Sequence, residues 1–206
     1  MRRAIRTVLC ALLVTCTTRE PAQQADTVVD NTLQAALRER LAADQAVRDQ
    51  LTTRLQQGLA PDAKVVAEML AVDTANTRWL RTIVARDGWP TRARVGVDGL
   101  NAAFLLVQHA DHDTAFQAWV LPHLVRAFHA GELPGQEVAL LTDRLASARG
   151  VPQEYGTQTD LRDTRIVVKA IRDSAQVDAR RATMGLPPMD EYLRVLDSVY
   201  FGRVRR

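Results

Sequence analysis

From Leu33 onward, apolar residues return about every fourth position, as Leu33, Leu37, Leu41, Val47, Leu51 and Leu55, with polar residues between them. On a helix of 3.6 residues per turn this spacing makes one apolar stripe and predicts a first helix of about 25 residues. Gly58 and Pro61 end it. A second helix starts near Asp62 and turns Val65, Val66, Met69, Val72, Trp79, Leu80, Ile83 and Val84 toward a core. Asp87-Gly88-Trp89-Pro90 stops it, Gly88 being suited to a left-handed cap. A third helix is expected from about Asp98 to Ala110 through Ala102, Leu105, Leu106 and His109. The fourth starts near Asp113 with Phe116, Trp119, Val120, Leu124 and Phe128, and Pro122 should kink it. After the Pro134-Gly135 turn, Val138, Leu141, Leu145 and Ala148 line a fifth helix ending at Gly150.

The pattern then changes. Tyr and Thr alternate with polar residues over Gln153–Gln158, and Arg165–Ile171 contains the β-branched run Ile166-Val167-Val168, which together read as a β-hairpin. Asp173-Ser174 starts a further helix that Gly185 stops, and Pro187-Pro188 opens a last one through Tyr192, Leu193 and Leu196. The expected fold is mainly α: one irregular bundle of six or seven helices with a small β-hairpin near residues 153–171.

Residues 1–16 break this regime. Arg2, Arg3 and Arg6 precede the apolar run Val8–Val14, which is shorter than the roughly 20 residues needed to span a bilayer, so the segment reads as a secretion signal. Leu13-Val14-Thr15-Cys16 resembles a lipobox in which Cys16 would be lipidated, although Thr15 stands where Gly, Ala or Ser is usual. The segment fits lipid anchoring first, ordinary secretion second and an uncleaved or cytoplasmic chain last. Residues 17–30 are polar and aperiodic and read as a tether, leaving 31–202 as the domain. The expected location is the bacterial envelope, periplasmic or lipid-anchored, with membrane association only through that lipid.

The three arginines of this segment account for the whole net charge of +3. The remainder is neutral and lacks the broad positive field that nucleic-acid binding needs. Arg203, Arg205 and Arg206 form only a small basic end. Both cysteines, Cys10 and Cys16, lie in the first 16 residues, so the domain has no thiol for a disulfide, a thiolate metal site or cysteine catalysis.

Four polar clusters stand out against the apolar stripes. Gln108-His109-Ala110-Asp111-His112-Asp113 follows directly on the apolar run Ala102–Val107. His109 and His112, three apart, would share a helical face and with a carboxylate suit acid-base work or, weakly, a metal; equally, His109 is a hydrogen-bonded core residue while Asp111 and Asp113 cap the next helix. No metal or cofactor is expected. Asp143-Arg144 sits on a helix where adjacent side chains diverge by about 100°, so one of the two must reach inside, as a structural pair or as an anion-binding arginine. Gln153-Glu154-Tyr155-Gly156-Thr157-Gln158 suits either a ligand-lining strand or a paired hairpin strand, and Asp178 with Arg181 at i, i+3 suggests a salt bridge. No Gly-x-Ser-x-Gly elbow or phosphate-binding glycine loop occurs.

Read in order, Gly88-Trp89-Pro90, Gln108-His109-Ala110-Asp111 with Phe116-Gln117, Asp143-Arg144, Tyr155-Gly156-Thr157-Gln158 after Gln153, and Val177-Asp178 with Arg180-Arg181, Gly185-Leu186 and Glu191-Tyr192-Leu193 resemble a bacterial domain family of unknown function. Asp44 with Arg48 matches an early Asp-x-x-x-Arg element of it. The resemblance covers about residues 38–195 and implies a helical, often exported domain without assigning catalytic residues. The motif residues are expected to gather around one polar cleft. Three functions fit such a cleft. The first is a binding or interaction module for a small polar ligand or an envelope protein, with Gln108, Tyr155, Gln158, Asp178 and Arg181 as candidate contacts. The second is a hydrolase-like enzyme in which His109 is the base, Asp111 or Asp143 orients it, and Arg144 or Arg181 steadies negative charge. The third is a purely structural polar network.

Overall fold

The computed structural model describes residues 29–162 and 165–202, so residues 1–16, expected to be a secretion signal ending at Cys16, nearly all of the expected tether and the basic end at Arg203, Arg205 and Arg206 lie outside the described residues. Seven α-helices follow in chain order: α1 Asn31–Gln56, α2 Ala63–Asp87, α3 Arg92–Gln108, α4 Thr114–His129, α5 Gly135–Ala148, α6 Val177–Thr183 and α7 Met189–Phe201. Strands β1 Thr159–Arg162 and β2 Arg165–Val168 stand between α5 and α6. The fold is mainly α, as the periodicity predicts.

Side chains start most of these helices. Asp30, Asp62, Thr91 and Asp113 each accept a hydrogen bond from a backbone N–H of the first turn, at Leu33, Lys64, Arg94 and Phe116. Gly88, at φ 78°, ends α2 in a conformation that side-chain-bearing residues avoid. The antiparallel helices α1 and α2 pack on α3, α3 leads into α4, and α4 pairs with α5. Leu37, Leu80, Val107, Phe116, Leu124 and Leu141, all closed to solvent, represent the continuous core between them. No described helix is long and apolar enough to cross a membrane.

Two boundaries differ from expectation. α3 begins at Arg92 instead of Asp98, because the turn before Asp98 is helix interrupted at Gly96, whose φ of 70° breaks the apolar period. Gln34 of α1 fills that break, donating from Nε2 to the Val95 carbonyl at 2.8 Å, and a Cβ on Gly96 would stand 2.9 Å from the same Nε2. The hairpin is shorter than 153–171: β1 pairs with β2 from Thr159↔Val168 to Arg162↔Arg165, and residues 153–158 are a loop that keeps a single bridge, Gln153↔Ile171. Pro122 lies inside α4, whose helix runs on through it. Between the hairpin and α6, a 3₁₀ turn at Ser174–Gln176 follows Asp173, held at φ 42°.

Candidate functional site

His109 is the C-cap of α3, so its ring leaves the helix end and crosses to α1. There Nδ1 lies 2.8 Å from Oδ2 of Asp44, a carboxylate with no solvent exposure. An ionised carboxylate only accepts, so Nδ1 is the donor and carries the proton. Asp44 is itself held on three sides. Gln45 donates to Oδ2 at 2.9 Å, and Arg48, one turn on, stands 2.9 Å from Oδ1 as an ion pair without hydrogen-bond alignment. Arg48 also donates from Nη2 to both oxygens of Asp73 on α2, at 3.0 and 3.1 Å.

Burial is the largest influence on Asp44 and raises its pKa, but the His109 hydrogen bond, the His109 charge and Arg48 together outweigh it and leave the group below its ordinary value. At Asp73 burial wins over Arg48 and the pKa rises. The result is an ionised Asp44 orienting an imidazole that keeps 21% of its side chain exposed, with Nε2 lacking a hydrogen-bond partner among the described residues.

One face along, α1 and α2 leave a groove of about 370 Å³ lined by Arg40, Ala43, Asn76 and Trp79 among others. Arg40 stacks 4.4 Å from the Trp79 ring centroid and donates to Oδ1 of the buried Asn76 at 3.1 Å.

The neighbouring polar residues are tied differently. Asp111 receives Nη1 of Arg144 at 2.7 and 2.8 Å, which brings two of the expected residues together across α5. Gln117, fully buried on α4, donates to the carbonyls of Val107 and Gln108 at 3.1 and 3.3 Å, closing the open end of α3. Asp113 caps α4 and pairs with Arg81 at 2.9 Å, while Asp111 caps nothing. His112 is exposed. Among the described residues no group of three His, Cys, Asp or Glu is placed to hold a metal ion.

Asp143, adjacent to Arg144 but turned inward, is closed to solvent and accepts from the backbone N–H groups of Glu154, Tyr155 and Thr157 at 2.7, 3.0 and 2.8 Å and from the Thr157 hydroxyl at 2.9 Å. These bonds explain why residues 153–158 do not form a strand: their donors face a carboxylate. Gln153 completes the loop. Its amide donates to the carbonyls of Gln158 and Lys169 and accepts from the Gln158 N–H at 2.8 Å, and Gln158 Nε2 donates to the Thr157 hydroxyl at 3.2 Å. From α6, Arg180 holds the carbonyls of Glu154 and Arg172, and Arg181 donates from Nε to Pro187 O and from Nη1 to Tyr155 O, both at 2.6 Å. The expected Asp178–Arg181 salt bridge gives way to separate roles, since Asp178 accepts from the Met189 N–H at 2.8 Å at the start of α7.

The carboxylate that orients His109 is therefore Asp44, in place of the expected Asp111 or Asp143, each of which is committed elsewhere. Gln117 and Thr157, named only within motifs and given no role, join the network, as does Asp73, which was not named at all. The available signal for Asp73 and Asn76 was a polar residue falling in the apolar stripe of α2, where a buried polar group needs a partner.

A family model described as a family of unknown function, DUF6624, matches residues 31–205. No curated protein and no solved structure matches the chain.

Proposed function

Because the chain belongs to DUF6624, a family of unknown function, we propose a role from its own geometry: it is an exported binding module of the bacterial envelope, and His109 is its recognising group. One observation carries this reading. A buried aspartate fixes the imidazole through Nδ1, while the other ring nitrogen has no hydrogen-bond partner among the described residues and the side chain reaches the surface. With Nδ1 protonated, Nε2 of the neutral ring presents a lone pair, so the matching ligand group is a hydroxyl or amide N–H. Pre-orientation removes the rotamer cost of recognition and so favours affinity. The sequence supports export through Arg2, Arg3, Arg6 and the apolar run before Cys16, with Cys16 as the proposed lipid anchor.

The second reading is acid-base catalysis. It is favoured by the same 2.8 Å bond, which holds a histidine in the tautomer a general base requires. Binding asks less, because it needs no reacting group within reach of Nε2.

The test is an NMR titration of the folded chain with small neutral alcohols and primary amides at millimolar concentration. Saturable shifts centred on the His109 ring, lost in His109→Ala, support the reading. Shifts that persist unchanged in His109→Ala, or no shift with any compound, contradict it.

A further inference from the structure

We propose a second ligand site, independent of His109: the cavity between α5, α6 and α7 takes a small carboxylate on the guanidinium of Arg181. The cavity measures about 230 Å³ and is walled by Leu140, Pro187 and Val195, with Thr157, Tyr192 and Arg181 on its polar side. At roughly 30 Å³ per water in the liquid, that is the space of seven or eight waters.

The argument rests on the charge of Arg181. Its side chain has no solvent exposure, and among the described residues no carboxylate touches it; Asp178 and Asp143 act on its charge only from beyond ion-pair distance. Nε and Nη1 are taken by two carbonyls, and the Tyr192 ring lies 4.7 Å from the guanidinium carbon, but Nη2 is buried without a hydrogen-bond partner. Carbonyls and a ring face supply partial charge only, and a buried guanidinium with no carboxylate in contact and no acceptor at Nη2 is costly. Tyr192 is fixed in place by its hydroxyl, which donates to Thr157 O at 3.1 Å, so the ring is a wall and not a mobile substitute. Asp178, the nearest acid along α6, is engaged with the Met189 N–H.

A ligand carboxylate would supply both, one of its oxygens accepting from Nη2, the nitrogen without a partner. The apolar walls and the volume select a short branched or straight tail. Such a group can come from a free short-chain acid or from the C-terminal residue of a peptide.

Calorimetric titration of the folded chain with isovalerate and with N-acetyl-leucine distinguishes these sources, and isovaleramide serves as the uncharged control. Because Arg181→Leu removes bonds that hold the Tyr155 loop and can unfold it, the main variant is Val195→Trp, which fills the cavity from its exposed rim and leaves Arg181 intact. The expected result is saturable binding of at least one acid, weaker by about tenfold or more for the amide and in Val195→Trp. His109→Ala should bind the acid as wild type does, which separates this site from the reading above. Equal binding of acid and amide, binding untouched by Val195→Trp, or no binding of either acid overturns the proposal.

Discussion

Asp44 and Asp143 are both aspartates on core-facing helices, both closed to solvent, and they are used in opposite ways. Asp143 gathers backbone: the N–H groups of Glu154, Tyr155 and Thr157 and the Thr157 hydroxyl converge on it and hold the loop. Asp44 gathers side chains, an imidazole, a guanidinium and an amide, and it passes its influence outward to the partly exposed imidazole. A carboxylate saturated by main chain fixes a fold. One saturated by side chains sets the tautomer and orientation of a neighbour, and only the second kind reaches the surface.

The largest consequence of this contrast falls on Asp143. Asp143→Ala orphans the buried N–H groups of the 154–157 loop and should destabilise the domain by on the order of 3 to 5 kcal/mol in urea unfolding. A loss under about 1 kcal/mol would place Asp143 in the same class as an ordinary surface acid. A third buried carboxyl, Glu137 on α5, has no basic group to offset burial, which alone pushes its pKa up to about 7. Folding therefore tightens its proton, and stability falls as pH rises from the ordinary 4.5 toward about 7, by on the order of 3 kcal/mol once deprotonated. Glu137→Gln should flatten that decline, as read by denaturation midpoints across the pH range. Asp44 works in the other direction. Its lowered pKa contributes stability above the ordinary 3.8 that is lost as pH falls below it, and Asp44→Asn should remove this acid-side slope at a cost of about 1 to 2 kcal/mol near neutrality. The smallest effect belongs to His109→Ala. Asp44 keeps Arg48 and Gln45 as partners, so the expected cost is about 1 kcal/mol or less, while any response at the ring disappears.

Much of the frame was legible in the spacing of apolar residues. The stripes from Leu33 to Leu55 and from Val65 to Val84 became α1 and α2, and the divergence of Asp143 and Arg144 beside Leu141 and Leu145 required one of the two to turn inward without saying which. The misreadings share a cause. Asp143 acts on a loop 11 to 14 residues away and Asp44 on a ring 65 residues away, and periodicity reports local faces only. Residues 153–158 have strand-like composition, but a carboxylate on another element took their donors. His109 was singled out as a polar group at the end of an apolar helix, which is where it stands, whereas its partner was sought among other acids, because a one-dimensional pattern gives no reason to prefer an aspartate two helices earlier. Asp178 and Arg181 were close enough in sequence to suggest a pair, and each instead bonds to backbone.

The tautomer of His109 tests the account most directly. Nitrogen-15 NMR of the imidazole in the folded chain, at a pH where the ring is neutral, should show the proton on Nδ1 and a bare, pyridine-like Nε2. A proton on Nε2 with Nδ1 bare would mean that Asp44 does not orient the ring, and the recognising group proposed here would be lost.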